Sequence, residues 1–435
     1  MNFKQSKILQ QKSHSLIPGG CHTYSKGDDQ YPEIAPAFIQ RGKGCHVWDV
    51  DGNEYIEYGM GLRAVTLGHA YDPVVEAARR QMLLGSNFTR PSAIEVEVAE
   101  QMVKLIEGAE MVKFAKNGSD VTTAAVKLAR AYTGRDLVAI CADHPFFSVD
   151  DWFIGSTIIN SGIPAAIQDL TVKFHYNDIA SVESLFEKHA GRIACLILEP
   201  VTVDEPICNY LQEVKDLCRR NGAIFIFDEM ITGFRLHIGG GQKYYGVIPD
   251  LSTFGKAMGN GFSIAALVGK REFMERGGLQ HEKERVFLLS TTHGAETHAL
   301  AAAKETITIY QREQVVEHLR IQGDRLKKGI DQSAEENRVA KYFQVVGKPC
   351  NLVYATRDES GDRSNAFRTL VLQELIKRGV LAPSLVVSYS HTNADIDKTI
   401  EVFHEALHLY RKALDEGIGK YLEGRPVKPV YRKFN

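Results

Sequence analysis

The chain reads as an α/β protein built on a mostly parallel, doubly wound sheet, with a smaller α+β domain formed from its terminal segments. Short apolar, β-branched runs at 111–114, 137–141, 193–198 and 223–227 alternate with helix-periodic stretches at 121–132, 179–188 and 211–221. Parallel strands need long crossovers, and helices of that length supply them. Beyond residue 310 the pattern changes to a long charged amphipathic stretch (314–332), short strands within 343–354 and two further helical stretches (365–378 and 395–414). That order belongs to an α+β unit. The expected organisation is an N-terminal segment at 1–60, a large domain at 61–310 and a C-terminal α+β domain at 311–435.

The remaining elements follow from local signals. Residues 4–16 are polar and helix-prone, and Ile17-Pro18-Gly19-Gly20 stops them. Alternation at 45–50 and 54–57 around Asp51-Gly52-Asn53 predicts a hairpin. Helices are expected at 72–84 and 93–106. The helix at 121–132 follows the small polar turn Lys116-Asn117-Gly118-Ser119-Asp120, with Ser119 or Asp120 as its cap. A strand, a glycine turn and a helix N-terminus together offer backbone N–H groups to an anion.

Bulk properties exclude several function classes. A net charge of −2 leaves no electrostatic footprint for nucleic acid or an anionic membrane. Seven scattered cysteines without a CxxC pair read as reduced packing residues, and no apolar run reaches the roughly 18 residues of a membrane span, so a cytoplasmic protein is expected. No HExxH or paired Cys-His spacing is present, and no metal is expected. No GxGxxG follows an early strand, which disfavours a nicotinamide dehydrogenase; Gly239-Gly240-Gly241 reads as a flexible loop.

The chemistry concentrates in residues 223–266. The run 223–227 ends on Asp228-Glu229, where an open α/β sheet presents functional groups. Pro249-Asp250-Leu251-Ser252-Thr253-Phe254 then leads into Gly255-Lys256, a lysine in a glycine-bracketed turn between apolar segments. Desolvation there lowers a lysine's pKa and makes a nucleophilic amine. A strand-end acid and such a lysine match the needs of pyridoxal phosphate: the acid keeps the pyridine nitrogen protonated and the lysine condenses with the aldehyde.

FDEMITGFR, PDLSTFGK and GNGFSIAA together resemble the cofactor segment of class III aminotransferases, in the branch containing glutamate-1-semialdehyde aminomutase. The resemblance spans nearly the whole chain and implies a fold-type I homodimer. By that match Asp228 pairs with the pyridinium and Lys256 is the Schiff-base lysine. Met230 stands where the family places a smaller Val or Ile against the ring. Asn117-Gly118-Ser119 resembles the family's Ser-Gly-Thr phosphate turn, and Glu199-Pro200-Val201 matches a Glu-Pro-Val that similar enzymes carry close to the cofactor. DHPFFSVDDW replaces Tyr-His-Gly, so the stacking ring is Phe146, or Phe147 if the alignment shifts by one. LLSTTHGAETH resembles the Gly-Thr-x-x-Gly turn, whose threonine reaches the neighbouring subunit's cofactor phosphate. Thr291 fits that role by spacing, with Thr292 as the alternative. Glu296 and His298 depart from the usual Asn-Pro and receive no role.

On the substrate side, Lys26 replaces the mutase arginine that meets the substrate carboxylate, and Arg63 and Arg90 are further candidates for an anionic group. For each of the three, an ordinary surface or interface residue is the competing reading. The expected activity is transfer of an amino group from an amino-acid donor, with glutamate foremost, to an aldehyde or ketone, sugars and small keto compounds included. The rivals are the aminomutase reaction and a non-catalytic binding protein. The mutase carries a gating carboxylate in a Pro-Ser-x-Phe-Glu-Ala-type segment. The matching stretch 382–391 here is about three residues shorter and has no acid.

Overall fold

The computed structural model describes residues 1–434. The chain opens with the helix Lys4–Leu16 and a meander of β1 (Ile39–Lys43), β2 (His46–Asp49) and β3 (Glu54–Glu57). The β2–β3 turn carries Gly52 at φ +88, and Asp49 Oδ1 accepts the N–H groups of Asp51 and Asn53.

Seven strands follow: β4 (Met111–Ala115), β5 (Leu137–Cys141), β6 (Thr171–Phe174), β7 (Ile193–Leu198), β8 (Ile224–Asp228), β9 (Leu251–Phe254) and β10 (Ala265–Gly269). They form one sheet in the order β4-β10-β9-β8-β7-β5-β6. Neighbours from β9 through to β6 are parallel, whereas β10 runs antiparallel to both β9 and β4. The mostly parallel, doubly wound sheet expected from the sequence is present. β6, β9 and β10 were not expected as strands, being short and flanked by segments read as loops.

Every residue of β7 and β8 is buried, because helices cover both faces. The period-2 pleat then splits each strand between two cores. Cys195, Ile197, Ile224 and Ile226 join the cluster beneath the helix Gly118–Thr133. Leu196, Leu198, Phe225 and Phe227 join the opposite one, with the helices Ile179–Lys188 and Tyr210–Asn221. Each such aliphatic or aromatic side chain contributes about 1.5–3 kcal/mol of burial. The helix Gly118–Thr133 starts about a turn earlier than the sequence suggests, and its cap is Asn117, not Ser119 or Asp120. Asn117 Oδ1 accepts Asp120 N–H, while Asp120 returns a carboxylate to Asn117 N–H, a reciprocal pair that outcompetes either later cap.

The chain continues through the helices Thr297–Arg312 and Val315–Glu336, the hairpin of β11 (Phe343–Val346) and β12 (Val353–Thr356), the helix Asn365–Lys377, β13 (Val380–Leu381) and the helix Asn393–Glu416. β13 pairs parallel with β3, so chain ends more than 300 residues apart share one four-stranded sheet. Residues 1–71 and 317–432 make one compact unit, and residues 72–316 make the other.

Candidate active site

In the unit of residues 72–316, the functional side chains gather at the carboxyl ends of β5, β7, β8 and β9. Parallel strands end there and the chain turns away from the sheet, leaving a crevice for ligands. Asp228 is the last residue of β8 and only 3% exposed. Its Oδ1 accepts Met230 N–H at 3.0 Å and the Thr253 hydroxyl at 3.1 Å. Burial pushes its carboxyl up to about 6, against the downward pull of the Lys256 charge and the two donors.

Lys256 begins the 3₁₀ turn Lys256–Gly259 directly after β9. It holds φ +44, a left-handed conformation that a non-glycine residue adopts only under surrounding constraint. The constraint is visible on either side: Phe254, Gly255, Ala257, Met258 and Gly259 are all buried. Met230, 8% exposed, wedges its thioether between two backbone turns. A Cβ added at Gly118 would sit 2.9 Å from Met230 Cε, and one at Gly255 would collide with it outright. At both positions a side chain would have to displace the end of Met230.

At the start of the helix Gly118–Thr133, the cap bonds use the N–H groups of Lys116, Asn117 and Asp120. Those of Gly118 and Ser119, in the first turn, have no intrahelical acceptor. Ser119 is buried, and its Oγ accepts Val149 N–H at 3.0 Å. Phe147 is packed in the core, with Thr122 Oγ1 donating to its carbonyl, whereas Phe146 is 43% exposed and meets Phe153 edge-on. Glu199, just past β7, is buried, and its N–H donates to His144 Nδ1 at 3.1 Å.

That last bond fixes a tautomer. With Nδ1 accepting, the proton of the neutral ring lies on Nε2, and burial holds the ring neutral by lowering its pKa to about 4. Nε2 is itself buried and has no partner among the described residues. An orphaned buried donor beside β5 and β7 calls for an acceptor from a bound group. Together with a buried acid, a lysine whose charge acts on it and an open helix N-terminus, it fits pyridoxal phosphate.

Glu229 explains the glycine triplet. Its carboxylate accepts the Thr232 hydroxyl (2.5 Å), Gly241 N–H (2.6 Å) and Gln242 N–H (2.8 Å), and burial raises its pKa. Gly239-Gly240-Gly241 is therefore not a flexible loop. It is the buried entry to the short helix Gly240–Tyr245, folded around a carboxylate, with Gly240 at φ +83 and no room there for a Cβ beside Glu229. Flexible and folded glycine runs look alike in sequence, and only the buried acid separates them.

Thr291 and Thr292 are exposed, and Asn87 Nδ2 donates to the Thr292 carbonyl at 3.1 Å. Lys116 pairs with Glu296, the acid given no role from sequence, and this joins the Asn117 turn to the Thr291 loop. Arg90 is exposed. Lys26 and Arg63 belong to the other unit. Lys26 is exposed at the end of the turn Tyr24–Lys26, and Arg63, at φ +69, donates from Nε to Asn351 Oδ1 at 2.7 Å.

Sequence reasoning missed His144, Thr253 and the Lys116–Glu296 pair. Thr253 was legible in principle, since a parallel strand at 251–254 would put its hydroxyl beside Asp228. The other two depend on contacts between segments distant in the chain.

This fold and this group of residues define a pyridoxal-phosphate-dependent enzyme of fold-type I. The sequence model of the family described as Aminotransferase class-III matches residues 27–407, and the chain belongs to that family. It is 32% identical to a glutamate-1-semialdehyde 2,1-aminomutase of Sulfurihydrogenibium azorense, over 94% of this chain and all of the relative. It is 33% identical to a 3-aminobutyryl-CoA aminotransferase of Cloacimonas acidaminovorans, over 95% of this chain and 99% of the relative. Among solved structures it resembles the PLP internal aldimine form of the FumI protein of Sphingopyxis sp. MTA144, with a TM-score of 0.87, 26% identity, and coverage of 95% of this chain and 98% of the other.

Proposed function

We propose that this aminotransferase moves an amino group from an amino-acid donor, glutamate foremost, to a separate aldehyde or ketone acceptor, and is not a mutase that returns the group to the same molecule. The observation carrying this reading is the segment 382–391. Ala382, Leu385, Val386, Val387, Ser388 and His391 are all at most 1% exposed, and none of the ten residues is an acid. A segment so buried and without a carboxylate is poorly suited to gate a site and retain an intermediate. The exposed Lys26 in place of an arginine fork points the same way.

When bound, pyridoxal phosphate supplies an aldehyde that condenses with amines and a protonated ring that draws electron density from the substrate. In this reading the Gly118 and Ser119 N–H groups, with Asn117, hold the phosphate. The Asp228 carboxylate holds the ring proton, kept in place by Thr253 and the Met230 N–H. Lys256 contributes the amine and afterwards moves the substrate proton as base and acid. For ring stacking we keep Phe146, whose ring is exposed, because that of Phe147 is committed to the core. Glu199 and Met230 line the cofactor site, and Lys26, Arg63 and Arg90 are the candidate contacts for the substrate's anionic group.

We further infer a homodimer in which Thr291, or Thr292, reaches the partner's cofactor phosphate. Support comes from an exposed apolar surface, Met82, Leu83, Leu84 and Phe88, on the helix Asp72–Met82 and the loop after it. A groove of about 570 Å³ includes Leu84 and Phe88. The same surface is tied to the threonine loop through Asn87, Gly85 and Ser86. A cytoplasmic location is consistent with seven free thiols, five of them buried.

The test is to convert the enzyme to its pyridoxamine form and screen keto acids, aldehydes and keto-sugars for return to the pyridoxal form. Exchange with an external acceptor is expected. Efficient conversion of glutamate-1-semialdehyde to 5-aminolevulinate without any exchange would assign the mutase reaction instead, the reading favoured by the names of several relatives.

A further inference from the structure

We propose that Cys45, His46 and Asp395 form a binding site for a zinc-class divalent cation, separate from the amino-transfer chemistry. One ligand atom from each of the three residues lies within 4.8 Å of the other two. Cys45 is buried and His46 and Asp395 are partly buried, all within the unit of residues 1–71 and 317–432. Thiolate, imidazole and carboxylate at one point are the donor set of zinc and its close analogues, not of magnesium or calcium. Around a tetrahedral zinc the ligand atoms would stand roughly 3.4–3.6 Å apart. His46 Nε2 and Asp395 Oδ1 are already 3.0 Å apart.

Glu54 Oε1 stands 2.8 Å from His46 Nδ1, on the side away from Asp395, near enough for charge attraction but without hydrogen-bond geometry. Asp395 Oδ2 accepts Thr392 N–H (2.9 Å) and Oγ1–H (2.6 Å) in the capping box of the helix Asn393–Glu416, which leaves Oδ1 facing His46. The three side chains fill three positions of a four-coordinate ion and leave one for water. Binding displaces the thiol proton of Cys45 to solvent, forms a metal–sulfur bond and changes no oxidation state. Such an ion would clamp β2 to the start of the helix Asn393–Glu416, elements 349 residues apart in the chain.

The rival explanation is a polar cluster in which His46 simply lies between two acids, with no metal affinity. Titration of the purified holoenzyme with Co²⁺ separates the two. The expected result is one equivalent bound per chain, with a near-ultraviolet thiolate-to-cobalt band that Zn²⁺ abolishes by displacement. Cys45→Ser should remove the band. Glu54→Gln, which alters a side chain about half exposed and outside the donor set, should fold normally and keep the band. Cys208→Ser, at an exposed thiol, should leave the titration unchanged. Absence of the band, or its survival in Cys45→Ser, would overturn the proposal.

Discussion

Asp228 and Thr253 are register partners on the parallel strands β8 and β9, and the Thr253 hydroxyl donates to Asp228 Oδ1 at 3.1 Å. This pairing sets the spacing of the site. Lys256 lies three residues beyond Thr253 in the chain, so the strand register that places the hydroxyl on the acid also brings the lysine to the same sheet edge. Its charge reaches the carboxylate there.

Lys256 is expected to be required for turnover and dispensable for cofactor capture. Lys256→Ala should lose activity by at least about 10²–10⁴-fold, the scale of general acid–base catalysis alone, while the phosphate turn and Asp228 still bind pyridoxal phosphate. Activity assays and equilibrium dialysis on the same preparation check this, and wild-type turnover would remove Lys256 from the mechanism.

Asp228 makes a pH-dependent contribution to stability. Its folded-state pKa, about 6, lies above the ordinary 3.8, so the folded apoprotein holds a proton there that the unfolded chain releases. Stability from this group is complete below pH about 4 and is lost as pH rises through about 6. Apoprotein melting temperature over that range should fall more steeply for the native chain than for Asp228→Asn. Turnover of Asp228→Asn should drop by about 10²-fold or more.

Met230 and Gly255 should be energetically coupled. Gly255 has φ 178, extended backbone open to any residue, so Gly255→Ala costs only the collision with Met230 Cε. That overpacking should destabilise by about 1–3 kcal/mol. Met230→Ala removes the obstacle, and the double variant should be more stable than the summed single losses predict. Denaturant unfolding of the four proteins measures the coupling, and strict additivity would show that the two residues do not share this space.

The apolar surface around Leu84 and Phe88 should be covered by a second copy. Leu84→Glu is expected to shift the protein towards monomer in analytical ultracentrifugation and to lower activity with it, since Thr291 would no longer reach a partner's phosphate. A variant that stays a fully active dimer would place the interface elsewhere.

Much of this protein is written in short-range signals. Apolar runs marked four of the seven central strands, and the strand-end acid with its glycine-bracketed lysine announced the cofactor, because such features depend on neighbours a few residues away. Contacts across the chain were decided only by folding. Thr253 became a partner of Asp228 through a strand too short to stand out. The helix cap moved to Asn117 because two side chains satisfy each other's backbone there. The glycine triplet closed around Glu229, since a carboxylate with no access to water takes the nearest N–H groups. Cys45, His46 and Asp395 show no spacing that a sequence could reveal, and it is the register of β2 against the start of the Asn393–Glu416 helix that brings them to one point.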